Sequence, residues 1–149
     1  MRHYIKQFVK VVITGIIFAI LAQIIHSGGA YFTTDYYTND EYVGIWSQLM
    51  MPEDGAPGTK FFITSLLFNL IAGVFYTTFY IVTRASIPGR NFFRKGLFYG
   101  LFLFLVASIP GFLSLYLLIN LPTMLLYVWA LENFIINIFG GVIISEINR

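Results

Sequence analysis

The sequence predicts an all-α integral membrane protein: a bundle of four transmembrane helices with an extracytoplasmic amphipathic interfacial helix in the first loop. Three observations carry this. Of the 149 residues, 58% are hydrophobic and 11% charged, against about 25% charged in a soluble domain. There is too little polar surface to cover a water-soluble globule, so lipid must be the solvent. Four continuous apolar stretches each reach the roughly 20 residues that a helix needs to cross a bilayer. Lysine and arginine gather on alternate connections, as the positive-inside rule requires. Strands of an outer-membrane barrel would alternate in polarity over about 10 residues, and these runs do not alternate.

The spans fall at about 8–26, 61–83, 96–119 and 122–144 of a single membrane domain, with an outer loop at 27–60 and an inner loop at 84–95. Arg2, Lys6 and Lys10 precede the first span. Arg84, Arg90, Arg94 and Lys95 lie between the second and third, and Arg149 ends the chain. The outer loop sets Lys60 against Asp35, Asp40, Glu41, Glu53 and Asp54, and the last connection has no charge. The expected setting is therefore the plasma (inner) membrane, with both termini cytoplasmic. A rival reading is a cleavable secretory signal, because a basic start and an apolar run lead into Gly28-Gly29-Ala30. That run is long for the apolar core of such a signal.

In the outer loop, Thr38 and Glu41 have the spacing of a capping box. Tyr42, Ile45, Trp46 and Leu49 follow at helical spacing until Pro52. This predicts a helix over 40–50 with Tyr42 and Trp46 as anchors at headgroup level; a lid over a cavity is the alternative. The inner loop carries Ser86-Ile87-Pro88-Gly89, suited to a type II turn. Its basic cluster suits anionic headgroups or a partner. The turn Asn120-Leu121-Pro122 makes spans three and four antiparallel neighbours, with Asn120 placed to cap the fourth helix.

Lipid tails give helices no hydrophobic reason to associate, so small residues and interhelical hydrogen bonds must hold the bundle. Stripes of both kinds recur: Gly15, Ala19, Ala22 and His26, with Gln23 adjacent, in span one; Ser65, Asn69, Gly73, Tyr76, Tyr80 and Thr83 in span two; Gly96, Gly100, Ala107, Gly111 and Ser114 in span three; Ala130, Asn133, Asn137, Gly140 and Gly141 in span four. Pro110, followed by Gly111, removes a backbone hydrogen bond and predicts a kink, with freed carbonyls near Val106 and Ala107.

Glu132 is the one formal charge well inside an apolar run. A carboxylate near the bilayer centre costs about 2.5–3.5 kcal/mol on insertion scales and marks a functional candidate. Apolar surroundings favour its neutral form unless His26, a water chain or a partner compensates. Glu132 points away from the Ala130, Asn133, Asn137 and Gly140 face, toward Leu125, Val128, Trp129, Ile136 and Phe139, so span four has two special faces.

The chain has no cysteine, which removes disulfides and thiolate metal sites. Its two histidines, His3 and His26, fall on opposite sides of the membrane, which argues against a multi-histidine metal or haem site. No enzyme activity, cofactor, metal or nucleic-acid partner is expected. The bilayer is the expected partner, together with a second copy or another membrane protein. Three functions fit. The first is a bundle handling a proton, ion or small ligand through a polar layer around Glu132, supported by Asn69, Tyr76, Asn133 and Asn137. The second is a non-catalytic accessory or assembly subunit, and the third is a lipid- or quinone-binding protein.

Overall fold

The computed structural model describes residues 2–39, 41 and 58–149. The elements are α1 (Arg2–Phe32), a short α2 (Thr34–Thr38), α3 (Thr59–Thr83), α4 (Phe92–Leu103), a π-helical turn (Phe104–Ser108), α5 (Ile109–Leu118) and α6 (Thr123–Ile147). Among the described residues, four stretches are long and apolar enough to cross a membrane: Tyr4–Phe32, Thr59–Thr83, Phe92–Leu118 and Thr123–Ile147. The helix expected over 40–50, with Tyr42 and Trp46, lies outside the described residues. Of its capping box, Thr38 instead closes α2 by donating to the Thr34 carbonyl, and the Asn39 side chain accepts the Glu41 N–H at 3.0 Å.

The four spans pack as two antiparallel pairs, α1 with α3 and α4 with α6, joined chiefly along α1 and α6. Small residues make both pairs close. A Cβ on Gly15 would meet Val74 and the Leu70 carbonyl of α3, and one on Gly73 would meet the Gly15 backbone. On the other pair, the Gly96 and Gly100 positions face the backbone of Gly141–Val142 and Asn137–Ile138. Phe18, Ala22, Tyr80, Tyr99, Leu103, Ile136 and Ile144 fill the space between the pairs.

One end of the bundle is basic. It collects the start of α1, the end of α3, the start of α4 and the end of α6. There the Arg84 guanidinium donates to the Asn148 carbonyl at 3.0 Å and Lys95 Nζ to the Arg84 carbonyl at 2.9 Å. Arg149 lies 4.3 Å over the Phe92 ring and pairs with Glu146. Gly89, in the connection between α3 and α4, has φ of 135°, a conformation that disfavours a side chain. Asn91 caps α4 by accepting the Arg94 N–H.

Two expectations need correction. Asn120 does not cap α6: Pro122 is its N-cap, no side chain closes that end, and the Pro122 carbonyl accepts from Leu125 and Leu126. Proline's fixed φ starts the helix without help from Asn120. The small-residue stripe of span three is also not continuous. Gly96 and Gly100 are buried, whereas Ala107, Gly111 and Ser114 are exposed. The π turn before Pro110 is the cause. A wider turn holds an extra residue, which rotates the following face by about 100°. It also absorbs the disruption that proline causes, since the Ile109 N–H reaches back to the Phe104 carbonyl.

Candidate functional site

At the other end of the bundle, α1 and α6 bring their polar residues together. Gln23, His26 and Ser27 share one face of α1 because they are three and four residues apart. Trp129, Glu132 and Asn133 do the same on α6, so Asn133 borders the Glu132 face rather than lying on a separate one as expected. His26 Nδ1 and Glu132 Oε2 are 2.8 Å apart, with the Glu132 side chain 9% and the His26 side chain 33% exposed. The special face of Glu132 therefore meets α1 of the same chain.

Gly29 explains how a carboxylate fits into this helix seam. A Cβ at that position would fall on the Glu132 carboxyl group. Two adjacent glycines within α1 cost about 1 kcal/mol each relative to alanine, and Gly29 provides the recess in return. The helix still runs on to Phe32, and Thr33 returns both its N–H and its hydroxyl to the Gly29 carbonyl.

Glu132 Oε1 is buried without a hydrogen-bond partner among the described residues, and so is Gln23 Oε1. Both residues line a cavity of about 530 Å³. Its walls are Ser27, Ala30 and Tyr31 of α1, Thr34, Tyr37 and Thr38 of α2, Phe61, Phe62 and Ser65 of α3, Phe112 of α5, and Trp129 and Asn133 of α6. Trp129 Nε1 donates to the Tyr37 hydroxyl at 3.0 Å. Burial pushes the Tyr37 phenol up, against the pull of its bonds with Trp129 and Thr33, so it stays neutral. On the far side of the α1–α6 seam, a second and more apolar groove of about 560 Å³ also reaches Glu132, past Gly28 and Gly29.

The other residues of the expected polar layer divide between the cavity and the bundle. Asn133 lines the cavity, with its amide turned to the Trp129 carbonyl at 3.0 Å. Asn137, one turn on, donates to Ser108 Oγ at 3.1 Å and to the Asn133 carbonyl. It thus ties α6 to the π turn. Tyr76 packs edge-on against Phe18, and its carbonyl accepts from the Tyr99 hydroxyl. Asn69 is half-buried on α3, while Pro110 and Gly111 are exposed on α5. Of the basic inner loop, Arg84 and Lys95 fasten the basic end, and Arg90 and Arg94 are exposed.

Sequence reasoning did not foresee Gly29 as the seat of the acid, or Tyr37 as the partner of Trp129. A double glycine inside an otherwise good helix, one turn beyond the only histidine of that span, was the available signal. Among the described residues, no group of three or more histidine and acidic side chains could hold a metal ion. Comparison with family models, with curated proteins and with solved structures found no match.

Proposed function

We propose that this chain is a membrane protein that binds a small ligand in the cavity beside His26 and Glu132, and that this pair takes up and releases a proton as the site fills. The observation that carries the reading is one buried carboxylate with two different oxygens: Oε2 held by an imidazole whose residue lines a cavity, Oε1 unsatisfied and seated against Gly29. Removing one member of a buried pair strands the other charge at a cost of about 3–5 kcal/mol. An unsatisfied buried acceptor is likewise costly, by about 1–3 kcal/mol. Such atoms call for a role. The cavity volume falls in the range of about 300–1,000 Å³ typical of small-ligand sites.

An imidazole against a carboxylate can hold one proton or two, so the site changes charge without moving a helix. Glu132 lies nine residues into α6, about 13 Å along its axis. In a bilayer that places the pair within the hydrocarbon of one leaflet. We place the basic end on the cytoplasmic side, on the strength of Arg84, Lys95 and Arg149 meeting there. The cavity would then open to the outer side.

Trp129 reports on the site directly. In a Trp46→Phe protein held in nanodiscs, Trp129 emission should step with pH, and Glu132→Gln or His26→Gln should abolish the step. A flat profile in the parent protein would overturn the reading. Purification from native membranes at fixed stoichiometry with a larger protein, with no such step, would favour an accessory subunit instead.

A further inference from the structure

We infer that α1 carries a site for an anionic phospholipid, at the opposite end of the bundle from the cavity: Lys6 and Lys10 hold the phosphate, and the isoleucines below them take an acyl chain. Lys6, Lys10, Ile13, Ile17, Ile20 and Ile24 recur at spacings of three and four residues, which places them on one stripe of α1. All six are exposed. The opposite face, with Val11, Phe18 and Ala22, is buried in the bundle. Among the described residues, neither lysine ammonium has a hydrogen bond or an ion pair.

The fold fixes the depth of these lysines. The Thr14 hydroxyl donates to the Lys10 carbonyl at 2.7 Å and accepts the Asn148 amide at 3.3 Å, so Lys10 lies level with the last turn of α6. The Asn148 carbonyl in turn accepts from Arg84, and the Arg84 carbonyl from Lys95. Lys10 therefore belongs to the basic end, and Lys6 stands one turn further out. From Lys10 to Ile20 the helix advances about 15 Å. Half of a hydrocarbon core of about 30 Å is the same length. The stripe from Lys10 to Ile20 thus matches one leaflet from headgroup to tail end.

Charge and geometry select the occupant. The segments that meet at this end hold every lysine and arginine of the chain except Lys60, and Glu146 is their one acid. Such a surface attracts anionic headgroups. Two ammonium groups a helical turn apart suit a phosphate, whose oxygens accept several charge-assisted bonds. An acidic partner in water would take the lysines and leave the isoleucines uncovered, whereas one phospholipid satisfies both halves of the stripe. A second copy in the same orientation would set its own Lys6 and Lys10 against these at the same depth, where like charges repel.

The test exploits the absence of cysteine. Ile13→Cys puts a single bimane label on the stripe, and the protein is reconstituted in phosphatidylcholine vesicles containing either brominated phosphatidylglycerol or brominated phosphatidylcholine. Bromine on an acyl chain quenches the label by contact. Half-quenching should need about five-fold less phosphatidylglycerol than phosphatidylcholine, the effect of about one basic residue near a charged headgroup. Salt at about 1 M, which shortens screening to about 3 Å, should reduce the preference. Lys6→Gln combined with Lys10→Gln should remove it and leave the thermal transition in place, since neither side chain has a partner in the fold. Lys60→Gln, at the other end, should leave the preference intact. A label at Ile24 (Ile24→Cys), deeper than one leaflet, should show none. Equal quenching by the two lipids at Ile13, an unchanged preference in the double lysine variant, or the same preference at Ile24 overturns the site. So does a label that neither lipid quenches, with unlabelled Ile13→Cys forming a disulfide between copies, which would seat a second chain on the stripe.

Discussion

The two ends of this bundle use the same helices to opposite effect. At the basic end, helices close on each other. The Tyr80 hydroxyl meets Ser145 Oγ at 2.6 Å, the Asn148 amide reaches Thr14 Oγ1 at 3.3 Å, and the Gly96 and Gly100 backbones lie against Gly141 and its neighbours. At the other end, α1 and α6 still meet at His26 and Glu132, but α5 contacts α6 more sparingly than α4 does, and a cavity remains. The π turn divides the two regimes. The comparison teaches that a polar residue near a bilayer is structural where backbone closes around it and available where it does not. Tyr80 and Ser145 satisfy each other, whereas Glu132 leaves one oxygen unsatisfied against Gly29.

The strongest way to break this contrast is to enlarge glycines on either side of the π turn. Gly100→Leu should prevent folding outright, well beyond the about 1–3 kcal/mol of ordinary overpacking, because backbone cannot yield as a side chain does. Gly111→Leu should leave the melting temperature unchanged, since no described atom beyond its chain neighbours and its own helix backbone lies within 4 Å of its Cβ position. Equal tolerance at both sites, read from yield and thermal melts in detergent, would deny the close contact of α4 with α6.

A smaller effect is expected at the acid. His26→Leu leaves the Glu132 carboxylate without its partner and should cost about 3 kcal/mol at neutral pH. The sign with pH is definite: acid neutralises the stranded carboxyl, so stability should recover as pH falls. Chemical denaturation at several pH values measures this, and a loss that deepens in acid would contradict the pairing. Gly29→Ala is expected to cost less, about 1 kcal/mol, because the group it meets is the movable end of a side chain. Its main effect should be on the Trp129 pH profile. The smallest change belongs to the closed end. Tyr80→Phe removes one hydrogen bond to Ser145 and should cost about 1 kcal/mol, with no effect on that profile.

Orientation can be sharpened independently, because the chain has no cysteine. A single cysteine at Ser86 should react with an impermeant thiol reagent only from the cytoplasmic side, and reaction from outside would invert the proposed topology.

Much of the architecture was legible in the residues. Four apolar runs of sufficient length can do little else in lipid, since every backbone polar group there must be satisfied within its own helix. The glycines of the first half of span three were legible as packing residues for the same reason. Glu132 stood out because a charge in oil is rare. Its partner was less legible. His26 is 106 positions away, and periodicity assigns residues to faces without saying which faces meet. Of the expected polar layer, Asn133 shares the cavity with Glu132, while Asn137 bonds to the π turn and Tyr76 packs on Phe18, because equal depth does not by itself bring side chains together. The turn Asn120-Leu121-Pro122 misled for a local reason, since proline started the helix that asparagine was expected to cap.

From the chain alone one reads how many times it can cross a bilayer, where its positive charge concentrates and which acid is out of place. These follow from solvation, which acts residue by residue. Only the packed fold pairs Glu132 with His26, assigns Gly29 to receive the carboxyl group, and turns Ala107, Gly111 and Ser114 away from the interface. Those outcomes depend on the angles and rotations of neighbouring helices, which no single segment encodes.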